Sequence, residues 1–244
     1  MGALAMGSGA AFTSAALQNT AEAGADFRVL VEDELIVRPG DSFRDGNGDF
    51  DPGNNAGEGF GSYDREDGDL FENGGLDEID EDDVPAAAMN DAENDELEID
   101  VVTALNQRDT FEEFLEVTNE GETVREVGIG FEEFGSDVGE EDEGPTEDDV
   151  VGIYRFERDD FQISVDDDDE FPNYLTLEPG QSRQIDLVVD TTDTDIRNRI
   201  LEVAETDGNP FDDGGTLGTV DLVETIKFGT EEDDPADQDE EIDD

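Results

Sequence analysis

Four side chains that carry oxygen alternate with other residues in one short stretch of the chain, at Asp45, Asn47, Asp49 and Asp51. Ca²⁺ takes roughly six to eight oxygen ligands, and a loop that turns through this stretch would bring four side chains together. The stretch departs from the EF-hand pattern, because Phe50 stands at the glycine position and Ala56 at the final glutamate position. A weaker set follows at Asp207, Asn209 and Asp213. The sequence leaves two interpretations of the first set, a calcium site and a solvated loop, and Ca²⁺ is the one candidate cofactor.

The residue types argue against an enzyme. The chain has no His, no Cys and a single lysine, Lys227, so Ser-His-Asp and Cys-His catalysis are excluded. Pairs of carboxylates for glycoside hydrolysis can be chosen almost anywhere among 74 acidic residues, and such pairs therefore indicate no reaction. The sequence predicts that the protein is not an enzyme.

The net charge of −62 indicates that this chain folds at high salt concentration. Self-repulsion of this size is poorly screened in dilute buffer, whereas at about 1 M salt the Debye length falls to about 3 Å. An acidic surface with almost no lysine is typical of halophilic proteins. A disordered acidic chain is the alternative, but 15 Phe and several runs of Val, Ile and Leu favour a folded domain. Nucleic acid is not expected as a partner, because phosphates require clustered cations, and no stretch after the uncharged start is long and apolar enough to span a membrane.

The first 21 residues carry no charge, and Glu22 is the first ionised side chain. One interpretation is the remainder of a secretory signal that lacks its basic start. The other is an extended segment that a β-sheet takes in as a strand. Both interpretations place the protein outside the cytoplasm, and the second predicts a homopolymer. The side chains that would contact the receiving sheet are Ala3, Leu4, Met6, Ala10, Phe12 and Leu17.

Short runs that alternate between apolar and polar residues predict an all-β fold, an antiparallel β-sandwich with one wet face on each sheet. The runs cover residues 27–31, 35–37, 97–105, 114–118, 123–131, 150–156, 161–165, 174–177, 181–190 and 219–228. The Gly-containing turn at Asn119–Gly121 predicts that the runs on either side of it form a β-hairpin. The Pro179–Gly180 turn joins a short strand to the strongly alternating run that follows it. Residues 196–203 fit a helix and a strand equally well. The predicted core includes Phe111, Phe114, Phe131, Phe156 and Phe161.

The composition divides the chain into an N-terminal segment (1–25), a single domain (26–228) and an acidic tail (229–244). Within the domain, residues 38–95 are rich in Gly, Asp, Asn and Glu and are too polar to bury a core of their own. We therefore expect a long acidic surface insertion, with a short helix near Pro85–Met89. Loops of this length are usually functional or disordered.

Two parts of the chain resemble the paired strand signatures of extracellular immunoglobulin-like sandwiches. They are Phe114–Gly121 with the following Thr123–Val127, and Leu177–Asp190. The start, Gly7–Ser14, resembles the end of the signal region in an uncharacterised family of exported haloarchaeal proteins. This resemblance implies a jelly-roll or immunoglobulin-like sandwich.

The layout is also similar to that of the secreted TasA and camelysin fibre proteins. The matching elements are Ala10–Phe12, Phe27–Val31, Pro39-Gly40 and Asn119–Gly121. This resemblance implies a filament subunit that assembles as archaeal bundling pili do, by donor-strand complementation. An N-terminal strand then completes the sheet of the next subunit, and head-to-tail addition without closure gives a fibre. Segment 38–95 and the acidic tail have no counterpart, and without His no protease activity is carried over.

A monomeric secreted or cell-surface binding module is the alternative function. In that case the acidic residues 38–95 would carry the ligand or calcium site, and the uncharged start would be a signal remnant.

The charge predicts that stability depends on salt. Raising KCl from about 0.2 M to about 3 M should raise the melting temperature by on the order of 10 °C, because screening removes repulsion from the folded state. Circular dichroism at a fixed protein concentration measures this shift. A melting temperature that stays within about 2 °C across the series would contradict the halophilic interpretation.

Overall fold

The computed structural model describes residues 23–31, 34–54, 59–65, 85–135, 137–139, 144–159, 161–164, 173–203 and 222–230. These residues form strands and short helices in two sheets, and the predicted all-β, sandwich-like fold is confirmed. The strands are β1 (Ala23–Val31), β2 (Leu35–Pro39), β3 (Gly61–Asp64), β4 (Ala86–Met89), β5 (Glu98–Thr103), β6 (Arg108–Asn119), β7 (Arg125–Phe134), β8 (Tyr154–Arg158), β9 (Phe161–Gln162), β10 (Leu175–Leu177), β11 (Ser182–Asp190) and β12 (Val223–Thr230). The helices are α1 (Glu147–Ile153) and α2 (Thr194–Val203).

The two sheets differ in strand direction. Sheet A has the order β10-β7-β12-β1-β5-β4-β3, and sheet B has the order β2-β6-β11-β8-β9. Sheet B is antiparallel throughout. Sheet A is mixed, because β1 runs parallel to β12 and β3 runs parallel to β4. The prediction of a wholly antiparallel sandwich is therefore wrong for sheet A, since alternation along one strand carries no information about the direction of its neighbour.

One hydrophobic core takes side chains from both sheets. Sheet A contributes Val29, Ile99, Val127, Ile129, Ile226 and Phe228, and sheet B contributes Val37, Leu115, Val117, Phe156, Ile185 and Leu187. Along β2, buried residues alternate with partly exposed ones, as expected for a strand with one wet face.

Four phenylalanine rings form the aromatic part of this core. Phe43 lies 5.9 Å from Phe60 and 6.0 Å from Phe114 between ring centroids, and Phe111 lies 4.9 Å from Phe60. The rings are tilted or edge-on, which is the arrangement that aromatic pairs prefer. Two rings come from segment 38–95 and two from β6. The described part of that segment is therefore built into the core, which differs from the surface insertion that we predicted.

The predicted helix near Pro85–Met89 is wrong, because Ala86–Met89 is strand β4. All four side chains of β4 are fully buried, and the strand lies between β3 and β5. Alanine favours helices, but an isolated turn of four residues is too short to be stable in water. Pairing with two neighbouring strands therefore decides the conformation.

Residues 147–153, which overlap a predicted strand, form helix α1. Thr146 begins the helix with a capping box: its side chain accepts a hydrogen bond from the Asp149 backbone at 3.2 Å, and Asp149 accepts one from the Thr146 backbone at 2.8 Å. Residues 196–203 belong to helix α2, and Arg199 of α2 bonds Asp149 at 2.5 Å. No helix in the described part of the chain has both the length and the apolar character to span a membrane.

The buried rings provide a stability test of the core. Phe43→Ala should lower the free energy of unfolding by about 3–5 kcal/mol, because it leaves a cavity among the other rings. Phe161→Ala is the matched control, since Phe161 is 49% exposed, contrary to its predicted core position. Its effect should stay within about 0.5 kcal/mol. Denaturant unfolding in molar salt measures both values, and equal losses would contradict the integration of segment 38–95 into the core.

Candidate functional site

The loop predicted to bind calcium is a tight turn closed by a bridge between Arg44 and Phe50. The Asp45 carboxylate accepts hydrogen bonds from the backbone of Asn47 at 2.7 Å and of Asp49 at 3.0 Å, and from the Asn47 side chain at 2.8 Å. The Asn47 side chain, followed by these backbone groups, lowers the pKa of the exposed Asp45 carboxyl. The loop therefore uses Asp45 to form its own turn.

A converged set of metal ligands is absent from the described residues, which contain no group of three or more His, Cys, Asp or Glu side chains arranged to hold an ion. The calcium site at Asp45, Asn47, Asp49 and Asp51 stays a prediction. The weaker candidates Asp207, Asn209 and Asp213 lie outside the described residues, as do the predicted polymerisation contacts Ala3, Leu4, Met6, Ala10, Phe12 and Leu17.

Asp109 has a raised pKa, and burial is the main cause. Both of its carboxylate oxygens accept hydrogen bonds from the Gln107 side chain at 3.0 Å. Gln107 lies in the turn between β5 and β6, which Thr191 also fixes through a hydrogen bond to the Gln107 carbonyl at 3.1 Å. The geometry gives Asp109 a turn-stabilising role.

Strand register defines the two ends of the sandwich. At one end, which we call the entry end, β1 begins at Ala23 opposite Thr103. Helices α1 and α2 adjoin strand ends there, since Tyr154 follows α1 and pairs with Val189 near the end of β11. Because β12 is parallel to β1, it ends at the opposite end, where Thr230 pairs with Val127.

The opposite end collects three turns, and we call it the three-turn end. The turn at Glu34 leads into β2, whose first residue pairs with Asn119. The β6–β7 turn follows Asn119, and the Pro179–Gly180 turn leads into β11, whose first residue, Ser182, pairs with Thr118. Turns are present at Asn119 and at Pro179–Gly180, but the predicted hairpin at Asn119–Gly121 is wrong. Each turn connects the two sheets, since β6 and β11 belong to sheet B whereas β7 and β10 belong to sheet A.

Asn119 joins these turns and is fully buried. Its side-chain amide donates to the carbonyls of Thr123 at 2.8 Å and Leu177 at 3.0 Å, and its side-chain oxygen accepts from the Gly121 backbone at 2.9 Å. Its own backbone bonds Gln181 at 3.0 Å and Gly180 at 2.7 Å. One residue thus fixes the β6–β7 turn against the β10–β11 turn. The sequence indicates the turn but not this side-chain role, which depends on distant residues.

The outer edge of β2 is closed by side chains. The Val37 backbone donates to the Asn94 side chain at 3.0 Å, Pro39 has no N–H, and the Pro39 carbonyl accepts from Arg44 at 3.0 Å. An exposed strand edge is a template for another chain, and proteins block such edges in this way. Of these residues, only proline at the end of a strand was a sequence signal for a closed edge.

Hydrogen bonds also fix the chain beside β8 and β3. The residues after β9 continue its pairing with β8, since the Phe156 backbone donates to the Ser164 hydroxyl at 3.1 Å and accepts from the Ile163 backbone at 2.8 Å. The buried Ser62 hydroxyl of β3 donates to the carbonyl of Pro52 at 2.6 Å, which holds a neighbouring turn against that strand.

Strand β10 and the residues just before it are uncharged. Asn173–Leu177 contains no carboxylate or cation, in a chain where 74 residues are acidic. β10 is the last strand of sheet A in the described part of the chain, and it pairs with β7.

Asp100 is a fully buried acid on β5, and Arg65 lies 3.3 Å from it. The Arg65 side chain is 12% exposed. A buried carboxylate requires a partner, and removing one member of such a pair is strongly destabilising. This pair attaches the residue after β3 to the outer face of β5. The apolar-polar alternation of β5 predicted that Asp100 is exposed to solvent. The buried ion pair between Asp100 and Arg65 could therefore not be inferred from the sequence.

Comparison with known proteins yields no relative: no family model, no curated protein and no solved structure matches this chain.

Asn119 provides a test of the three-turn end. Asn119→Ala should lower the free energy of unfolding by roughly 2–4 kcal/mol, because it removes the partner of the Leu177 carbonyl and the Gly121 N–H, both buried, and of the partly buried Thr123 carbonyl. Asn198→Ala on the exposed face of α2 is the control and should change stability by less than about 0.5 kcal/mol. Denaturant titration in molar salt compares the two variants. A small loss for Asn119→Ala would show that the three-turn end does not depend on this side chain.

Proposed function

We propose that this chain is the structural subunit of an extracellular surface filament of a halophilic archaeon. Each copy donates its uncharged N-terminal segment as a strand to the next copy, and the sandwich is of the jelly-roll or immunoglobulin-like type. The observation that carries this proposal is the position and composition of the donor. Residues 1–21 carry no charge, and they precede a strand that begins at the entry end of the sandwich.

Electrostatics favours assembly through this segment. Two copies that each carry a net charge of −62 repel one another wherever acidic surfaces approach. High salt weakens this repulsion, but burying an acidic contact still requires desolvation of its carboxylates. An uncharged strand avoids both costs, and its backbone hydrogen bonds supply the affinity.

The length of the segment is sufficient for donation. β6, the longest strand, has 12 residues, which corresponds to about 40 Å at about 3.3 Å per residue. The 21 uncharged residues reach about 70 Å when extended. The segment is therefore long enough to leave one copy and lie along a strand of the next. The assembly is a homopolymer, and no catalytic step is part of the proposal.

Electron microscopy of the full chain at molar salt tests the proposed function, alongside a variant that lacks residues 1–20. We expect filaments from the full chain and single particles from the shortened variant. A variant that lacks the acidic residues 231–244 is the matched control and should still polymerise.

Two results would contradict this function. Filaments from the variant without residues 1–20 would show that another surface assembles the protein. Dispersed particles of the full chain would favour the monomeric binding module, and Ca²⁺-dependent melting of the full chain and of Asp45→Ala would then test its ligand.

A further inference from the structure

We infer that the pair Asn47-Gly48 is a latent deamidation site, which the Asp45 side chain keeps unreactive. This inference is independent of the proposed strand donation. Asn-Gly is the dipeptide that offers this reaction the least steric resistance, because glycine has no side chain. Asn47 and Gly48 are both exposed, so water reaches the bond. The protein therefore carries a reactive pair in an open position, and its own turn has to restrain it.

Deamidation joins the backbone nitrogen of one residue to the side chain of the residue before it. Here the Gly48 nitrogen would lose its proton and attack Cγ of Asn47. A cyclic succinimide forms as the bond from Cγ to Nδ2 breaks and ammonia leaves. Water then opens the ring. Cleavage between the ring nitrogen and Cγ leaves aspartate, whereas cleavage between that nitrogen and the backbone carbonyl carbon leaves isoaspartate, whose main chain runs through Cγ.

Hydrogen bonds hold both reacting groups in place. The Gly48 N–H donates to the Asp45 carbonyl at 2.9 Å, and the Asn47 side-chain amide donates to the Asp45 carboxylate at 2.8 Å. The Gly48 carbonyl accepts from the Arg44 side chain at 2.9 Å. The Gly48 nitrogen can turn towards Cγ of Asn47 only when the loop opens locally, and opening costs the free energy of these bonds.

The charge of Asp45 also opposes the reaction. Its carboxylate accepts from the Asn47 backbone at 2.7 Å and from the Asp49 backbone at 3.0 Å, which fixes it beside the Asn47 amide. The deprotonated Gly48 nitrogen is an anion, and a neighbouring negative charge disfavours it. The hydrogen bond from the Asn47 side chain, followed by the backbone bonds, lowers the pKa of Asp45. The carboxylate is therefore ionised at the alkaline pH that promotes deamidation.

The protected loop is attached to β2 and to the core. A bridge between Arg44 and Phe50 closes it, and isoaspartate would add a carbon atom to the main chain inside that closure. Arg44 also donates to the Pro39 carbonyl of β2 at 3.0 Å, and its neighbour Phe43 packs among the core rings. The Asp45 turn thus preserves the covalent structure of a loop on which the edge of β2 depends.

Asp45→Ala tests the inference, because it removes the carboxylate and leaves the backbone carbonyl that binds the Gly48 N–H. Deamidation at Asn47 should become about tenfold faster, since the variant loses both a charge-assisted hydrogen bond and the repelling charge. Asp49→Ala is the matched control. It removes one charge from the same loop, but Asp49 joins the hydrogen-bond network through its backbone N–H, so the rate should not change.

The measurement uses the full chain at molar salt and mildly alkaline pH. Cleavage after arginine places Asn47 in the peptide 45–65 and a second Asn-Gly pair, Asn73-Gly74, in the peptide 66–108. Mass spectrometry follows the replacement of NH₂ by OH, and fragment ions assign it to Asn47. Asn73 gives a reference rate in the same sample, and the chain in denaturant gives the rate without the turn. Circular dichroism reports whether each variant is folded.

Two results would overturn the inference. In the native chain Asn47 should deamidate several-fold more slowly than in denaturant, and equal rates would contradict the protection. This comparison needs no variant, so it decides the question even where Asp45→Ala does not fold. Equal rates for folded Asp45→Ala and folded Asp49→Ala would show that the Asp45 carboxylate protects nothing. Neither result depends on whether the protein forms filaments.

Discussion

The mutual repulsion of the carboxylates is the constraint under which every contact of this molecule forms. The chain has 12 lysine and arginine residues and 74 acidic residues. Several of the described arginines form ion pairs between separate parts of the fold. Arg38 bonds Glu93 at 3.0 Å, Arg155 of β8 bonds Asp190 of β11 at 2.8 Å, and Arg199 joins α2 to α1. Such partly exposed pairs add little stability in high salt. Cohesion must therefore come from the apolar core and the backbone ladders.

Alternation of apolar and polar residues was sufficient to predict most strands, because strands such as β2 bury one face and expose the other, whereas β4 is buried on both faces. It failed where a tertiary partner decides the conformation. Ala86–Met89 has helical propensity but forms a strand between two others. Residues 147–153 form a helix with a capping box at Thr146, although the apolar run from Val150 had predicted a strand. Segment 38–95 looked too polar for a core. Two of its four phenylalanines, Phe43 and Phe60, nevertheless pack against two rings of β6, and strands β3 and β4 extend sheet A.

Of the features that bear on the proposed strand donation, only the uncharged N-terminal segment was predictable from the sequence. An uncharged segment in an acidic chain is visible in the sequence, whereas the state of a strand edge depends on residues far along the chain. The Asn94 side chain accepts a hydrogen bond from Val37 of β2, which is 57 positions away in the sequence. The Asn119 side chain donates to the carbonyl of Leu177, which is 58 positions away. No local pattern contains those pairs. The loop at Asp45 is the opposite case. Its regularly spaced oxygen side chains are a clear sequence pattern, but in the structure the Asp45 carboxylate accepts hydrogen bonds from the backbone of its own turn.

The parallel pairing of β1 and β12 in the middle of sheet A has a mechanical consequence. In the proposed head-to-tail fibre, tension applied at Ala23 would pull β1 along its own axis. The hydrogen bonds of the β1–β12 and β1–β5 ladders are then loaded in shear, and they must break together rather than one after another. Resistance to pulling is a matter of the unfolding rate, not of equilibrium stability. This strand order therefore makes the domain resist force along β1 more strongly than force that peels an edge strand away.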